Sequence, residues 1–165
     1  ITTPGQADQD GELSGYVLRA EIDLDNSVVA FGSYGSLDGE IATADTEVSY
    51  YSVGARYDVV KDDVMSLGLG GFYTNSTITT NGVEGDAEGT KNVLARASYA
   101  FTPDLTVIGN GTYNIDDEDY GWNVGAEYAV SNNIKLVGSY SFDEDEEGAS
   151  TIAHSTMTLG IKTSF

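Results

Sequence analysis

The chain has 165 residues, with 27 Asp and Glu against 7 Lys and Arg, a formal net charge of −20. That length suits a single domain over residues 1–165, and so acidic a balance excludes the basic footprint of a nucleic-acid binder. No run approaches the roughly 18 apolar residues of a membrane helix, and with no Cys there is no disulfide framework, thiolate metal site or Cys nucleophile.

Residues 1–11, with Pro4, Gly5 and several polar side chains, read as a loop. From Glu12 onward, period-two alternation replaces helical periodicity. Tyr16, Leu18, Ala20, Ile22 and Leu24 share one parity, against Val17, Arg19, Glu21 and Asp23. A two-residue Asp25-Asn26 turn would set Leu24 opposite Ser27 and carry Val29, Phe31 and Leu37 onto the apolar face. A third strand alternates Tyr51, Val53, Ala55, Tyr57 and Val59 with Ser52, Gly54, Arg56 and Asp58. Beyond Lys61-Asp62-Asp63, a fourth reads Met65, Leu67, Leu69, Gly71, Tyr73.

Val93, Ala95, Ala97, Tyr99 and Phe101 lead to a Thr102-Pro103-Asp104 turn, and Leu105, Val107, Gly109, Gly111, Tyr113 and Ile115 lead back. Trp122, Val124, Ala126, Tyr128 and Val130 reach a Ser131-Asn132-Asn133 turn, followed by Ile134, Leu136, Gly138, Tyr140 and Phe142. The last strand presents Ala153, Ser155, Met157, Leu159, Ile161, Thr163 and Phe165. Short turns fall near residues 25, 62, 103 and 132. Longer polar connections are expected at 38–46, 80–90, 116–121 and 143–150. Short turns at one end and long loops at the other describe an all-β, up-and-down antiparallel transmembrane β-barrel. A soluble sandwich more often mixes its connections by Greek-key crossovers.

The charges sort by position. Nineteen of the 27 acids lie in the four long connections, their edges or the N-terminal segment, and four more in short turns. Within strands remain Glu21, Asp23, Asp58 and Glu127, with Arg19, Arg56, Arg96, Lys135 and Lys162. All nine occupy the parity opposite the apolar stripe. That places the stripe against lipid and the nine charges in a narrow lumen, where near-balance of sign avoids an unpaired buried charge. The alternative, a soluble acidic β-barrel that binds a ligand, needs the stripe inward.

Aromatic residues gather at the strand ends. Tyr16, Tyr73, Tyr113, Trp122, Tyr140 and Phe142 lie toward the long connections, and Tyr57, Tyr99, Phe101, Tyr128 and Phe165 toward the short turns. Two such belts suit the two interfaces of a membrane.

The final residues 157–165 alternate apolar side chains and end in Phe165, with Gly160 at a small position. This resembles the C-terminal strand of bacterial outer-membrane β-barrels. As a pattern the resemblance covers the whole chain, closest to the small barrels of the outer membrane protein X, Ail and opacity type, and residues 15–35 and 120–142 carry it best. It implies the outer membrane of a Gram-negative bacterium, a lipid and lipopolysaccharide environment, and insertion by the barrel-assembly machinery. Nine strands are counted, whereas single-chain bacterial barrels use even numbers. A ten-stranded barrel whose first strand lies upstream of Ile1 or is supplied otherwise is the preferred expectation, and an eight-stranded barrel the second.

Catalytic signals are absent. The single His154 falls on the lumen parity, where a structural, hydrogen-bonded role is expected, and no Gly-x-Ser-x-Gly elbow or phosphate-cradling Gly loop occurs. The chain is expected not to be an enzyme and to need no cofactor. Two acidic runs stand out: Asp116, Asp117, Glu118, Asp119 and Asp143, Glu144, Asp145, Glu146, Glu147. They read as a solvated rim, or as weak Ca²⁺ or Mg²⁺ sites built from hard oxygen ligands. The leading functional expectation is a small passive channel whose acidic mouth concentrates cations. A plugged structural or adhesion barrel acting through its loops is the alternative.

Overall fold

The computed structural model describes residues 11–25, 27–41, 43–147 and 150–164, without the side chains of residues 11, 144–147 and 150–154. Residues 1–10 and Phe165, with the loop and belt expectations placed on them, lie outside the described residues, as does the His154 side chain. The strands are β1 (Gly11–Asp23), β2 (Val28–Ile41), β3 (Ala44–Lys61), β4 (Met65–Thr80), a two-residue β5 (Val83–Glu84), β6 (Glu88–Ala100), β7 (Leu105–Asn114), β8 (Tyr120–Ser131), β9 (Ile134–Glu147) and β10 (Ser150–Thr163). Nine long strands pair antiparallel in chain order, and β5 pairs only with β4. The fold is an up-and-down antiparallel meander that curls on itself. Side chains from eight of its strands line one interior cavity of about 390 Å³, and Lys162 of β10 comes within 4.0 Å of Glu21 of β1.

Turn chemistry sets the short-turn end. Between β3 and β4 the Asp62 carboxylate accepts the backbone N–H of Val64 at 2.8 Å and of Met65 at 2.7 Å. Between β6 and β7 the Thr102 hydroxyl accepts the N–H of Leu105 at 3.0 Å. Both are side-chain mimics of a backbone turn.

The first turn differs from the sequence expectation. The Leu24 N–H donates to the Val28 carbonyl at 2.8 Å, and Asp23 pairs with Val29. Three residues, not two, therefore lie between Leu24 and Val28. A shift of one residue turns a whole strand over. Val29, Phe31 and Leu37 consequently face the interior with Arg56, Gly54 and Val48, while Val28, Ala30 and Tyr34 join the outer face. Val29 is the most deeply buried apolar side chain, at 2% exposure.

The other end also differs. Two of the four expected long loops are strand: β2 and β3 continue to Ile41 and Ala44, and β9 and β10 to Glu147 and Ser150. The 80–90 stretch contains a tight hairpin in which Asn81 (φ 51°) and Gly82 (φ 77°) both adopt positive φ. Asn-Gly is the residue pair such a turn demands, and it was there to be read in the sequence. The Asn81 N–H donates to the Asp45 carbonyl at 2.8 Å, tying this hairpin to the β2–β3 hairpin. Among the described residues, the β7–β8 connection at 115–119 remains an acidic loop of the kind expected, and residues 85–87 also lie outside any strand. At 18 residues β3 well exceeds the 9–11 that cross a hydrocarbon core.

Candidate functional site

The interior face is built by register. Arg19 and Glu21 enter from β1, Arg56 and Asp58 from β3, Arg96 from β6, Glu127 from β8, Lys135 from β9 and Lys162 from β10. Asp23 sits at the short-turn rim, 3.4 Å from Lys61. Burial on the two faces is inverted relative to a protein in water. Arg56, Asp58 and Glu127 are 8%, 5% and 7% exposed, while Leu18 and Leu159 on the outer face are 64% and 76% exposed.

Three arrangements fill the interior. The Arg56 Nε donates to Asp58 Oδ1 at 2.6 Å, and Gly68, opposite on β4, leaves room for the pair. A Cβ at Gly68 would press on Asp58 Oδ1 and the Arg56 stem. At the short-turn side Glu127 accepts from Lys135 Nζ at 3.1 Å and Lys162 Nζ at 3.0 Å. Lys135 and Lys162 are direct cross-strand partners, so Glu127 bridges two like charges that register forces together and offsets part of their repulsion.

The third arrangement was not singled out in the sequence. Arg96 Nη1 donates to Asn110 Oδ1 at 3.2 Å, Asn110 Nδ2 to Asn123 Oδ1 at 3.1 Å, and Asn123 Nδ2 to Ser141 Oγ at 2.9 Å. These four residues are mutual cross-strand partners from β6 to β9. The ladder was detectable only once the register of four strands was known. Its partners are amides and a hydroxyl, so Arg96 makes no ion pair among the described residues. Phe31 and Phe72 meet inside at 6.1 Å, across Gly54, and Tyr50, Leu94, Ser52 and Thr112 complete the lining.

The outer aromatic side chains fall near both strand ends. Trp122 packs against Tyr140 and Phe142 at 5.8 and 5.7 Å. Tyr113 lies 5.7 Å from Tyr120, and Tyr16 lies 6.3 Å from Tyr34. Tyr34 and Tyr120 are additions to the expected set. Tyr73 stands on the same side, paired in register with Lys91. At the opposite end Tyr99 packs edge-on against Phe101 at 5.0 Å, and Tyr57 and Tyr128 are exposed.

Beyond the upper aromatic residues, Glu12, Glu40 and Asp45 stand in register across β1, β2 and β3, and Asp38 stands opposite Glu47. Within the β7–β8 loop Asp116 is already engaged: its carboxylate accepts the Lys91 N–H at 2.7 Å and lies 3.3 Å from Lys91 Nζ. Those two contacts hold its pKa below the ordinary aspartate value. Asp117 accepts the Asn114 amide at 2.7 Å, and Glu118 adopts a positive φ of 63°. Asp143, expected in a loop, lies in β9 opposite His154. Glu144, Asp145, Glu146 and Glu147 continue that strand, their side chains outside the described residues. Among the described residues no three His, Asp or Glu side chains converge on a metal site.

No protein-family model and no curated protein matches the chain. Five chains of solved structures do. One is an anion-selective porin from Comamonas acidovorans, with 13% identity and a TM-score of 0.44 over 89% of this chain and 48% of that one. The chain thus spans about half the length of that porin.

Proposed function

We propose that this chain forms the wall of an outer-membrane β-barrel in a Gram-negative bacterium and acts as a narrow passive channel with a cation-attracting mouth. The single observation that carries the reading is the inversion of burial: charges inside, a continuous Leu, Ile, Val and Tyr surface outside. In water so large an apolar exterior would drive aggregation. Against lipid it is the favourable arrangement, and the aromatic residues near both strand ends suit its two interfaces. Under this reading the surroundings are lipid and lipopolysaccharide, with the barrel-assembly machinery acting during insertion. A soluble ligand-binding barrel would need the apolar stripe on the other face.

The 390 Å³ interior space, where Ser, Thr, Asn and Arg side chains stand beside Phe31, Tyr50, Phe72 and Leu94, supports a narrow path. The in-register carboxylates Glu12, Glu40 and Asp45, on the outer-face parity beyond one aromatic belt, make that rim negative and support cation enrichment around it. A second reading, a plugged barrel acting through its projecting hairpins, is favoured by the Glu127–Lys135–Lys162 cluster and the Phe31–Phe72 pair across the interior. Planar-bilayer recording on the full-length protein separates them. Cation-selective unitary steps are expected for the channel; a silent bilayer supports the plug. Retention in the aqueous phase on detergent partitioning would sink both.

A further inference from the structure

Register builds a further pattern on the interior wall from β1 to β6. Arg19 of β1 stands opposite Ser33, one same-face position from Phe31 on β2. Phe31 lies opposite Gly54, and Gly54 opposite Phe72 on β4, so the two rings meet over a residue without a side chain. Leu94 and Arg96 follow as same-face neighbours on β6. An apolar strip is thereby bounded at each end by a guanidinium, and these five side chains line the interior cavity of about 390 Å³.

Neither end of the strip is neutralised by a described residue. Arg56, the third arginine at the cavity, is committed to Asp58. Arg19 and Arg96 make no ion pair among the described residues. Arg19 is exposed, and Arg96 is half-buried with its hydrogen bond going to a neutral amide, that of Asn110. Of the two acids on the cavity wall, Glu21 lies 4.0 Å from Lys162 and Asp143 is itself engaged. Phe31 and Phe72 are only half-buried, so each keeps apolar area toward the cavity. Water alone satisfies the guanidinium N–H groups. It does not satisfy the rings, whose removal from water needs an apolar body against them.

The geometry points to an interior binding site for an organic carboxylate with an aromatic or branched apolar body. The body lies across Phe31 and Phe72, and Arg19 and Arg96 hold the charge. A guanidinium presents a planar fork of donors that matches a carboxylate. A mostly apolar cavity of a few hundred Å³ with a few placed polar groups is the usual form of a small-ligand site. The rim acids Glu12, Glu40 and Asp45 stand on the outer-face parity and do not line this cavity. Cation enrichment around the rim and anion binding inside therefore belong to separate surfaces. The inference rests on the barrel reading given above, in which the charged face is the interior, and names what that interior takes.

The test is titration calorimetry on the full-length protein refolded in detergent, with the heat of each probe into empty micelles subtracted. Benzoate carries both features, acetate the charge alone, benzyl alcohol the ring alone, and benzylammonium the ring with the opposite charge. Benzoate is expected to bind saturably and the other three at least about tenfold more weakly, the scale of one charge-assisted hydrogen bond. Arg19→Gln removes an exposed cation without an ion-pair partner, so the fold should survive, which the heat-modifiable band checks. Arg19→Gln and Arg96→Gln are each expected to weaken benzoate about tenfold. Phe72→Leu is expected to weaken benzoate while leaving acetate unchanged, and Leu159→Ala on the outer face to change neither. No saturable benzoate heat, equal affinity for acetate or benzylammonium, or unchanged affinity in either arginine variant overturns the inference. Detergent partitioning of the same sample keeps the two readings apart. A protein that enters the detergent phase and does not bind benzoate overturns the site alone; one that binds benzoate and stays in water overturns the membrane reading.

Discussion

Glu127 Oε1 accepts a hydrogen bond from Lys162 Nζ at 3.0 Å, joining β8 to β10 across the intervening β9. The other carboxylate oxygen holds Lys135 at 3.1 Å, so one acid bridges two bases. Glu127→Gln keeps the shape and removes the charge, leaving two lysines in cross-strand contact. Both lysine side chains are about two-fifths exposed, so solvent screens part of the repulsion. A loss of about 1–3 kcal/mol is expected, the range for hydrogen bonds to charged groups. Urea unfolding of the protein refolded in detergent measures it. Lys162→Met, which leaves the Lys135 contact intact, should be milder.

Arg56 and Asp58 form the most buried ion pair. Arg56→Ala strands the Asp58 carboxylate in the interior, and removing one partner of such a pair typically costs about 3–5 kcal/mol. The double variant Arg56→Met with Asp58→Leu should recover most of that loss. Under the channel reading it should also change unitary conductance. Equal unfolding midpoints for wild type and Arg56→Ala would show that the pair is immaterial.

Gly54 lies between two aromatic rings. A Cβ there would meet the Gly71 carbonyl, Phe72 Cβ and Phe31 Cζ. Gly54→Val is expected to destabilise by about 1–3 kcal/mol, as overpacking does. Gly54→Val combined with Phe31→Ala should recover part of the loss. A heat-modifiable gel shift, read as the temperature at which the compact band disappears, follows both.

Asp116 and Asp62 each have their pKa held down, in both cases first by backbone N–H donors: Lys91 for Asp116, Met65 and Val64 for Asp62. A depressed folded-state value means the contact contributes above the unfolded pKa of about 3.9 and is lost as pH falls through the depressed value. The Asp62 and Asp116 carboxyls should therefore titrate below the ordinary aspartate value, and their hydrogen bonds should be lost only as pH falls through those depressed values. Carboxyl titration by NMR in detergent reads the two midpoints. A value at or above the ordinary aspartate range would contradict these hydrogen bonds.

Trp122 is the single tryptophan and stands on the outer face near the acidic rim. In vesicles its emission should be quenched by lipids brominated close to the headgroup and little affected by iodide in the aqueous phase. Strong quenching by iodide would place it in water and reverse the face assignment.

The period-two pattern placed each of the nine strand charges on the face that the register also assigns to the interior, because alternation within one strand fixes which residues share a face. Asp62 and Thr102 were legible as turn residues for the same local reason. The relation between neighbouring strands is not local: it depends on how many residues the turn contains, and a single extra residue between Leu24 and Val28 put Val29 and Phe31 inside. The acidic stretches around residues 40 and 145 have loop-like composition but run as strand, because pairing to a neighbour overrides the local preference of Asp, Glu and Gly. The Arg96–Asn110–Asn123–Ser141 ladder joins four strands and exists only in their combined register. The sequence by itself determined an alternating, two-faced sheet with the nine charges named above on one side, since side-chain period is a property of the strand. The tertiary structure alone decided which charges meet and in what register each strand lies beside its neighbour, since partners are properties of the whole sheet.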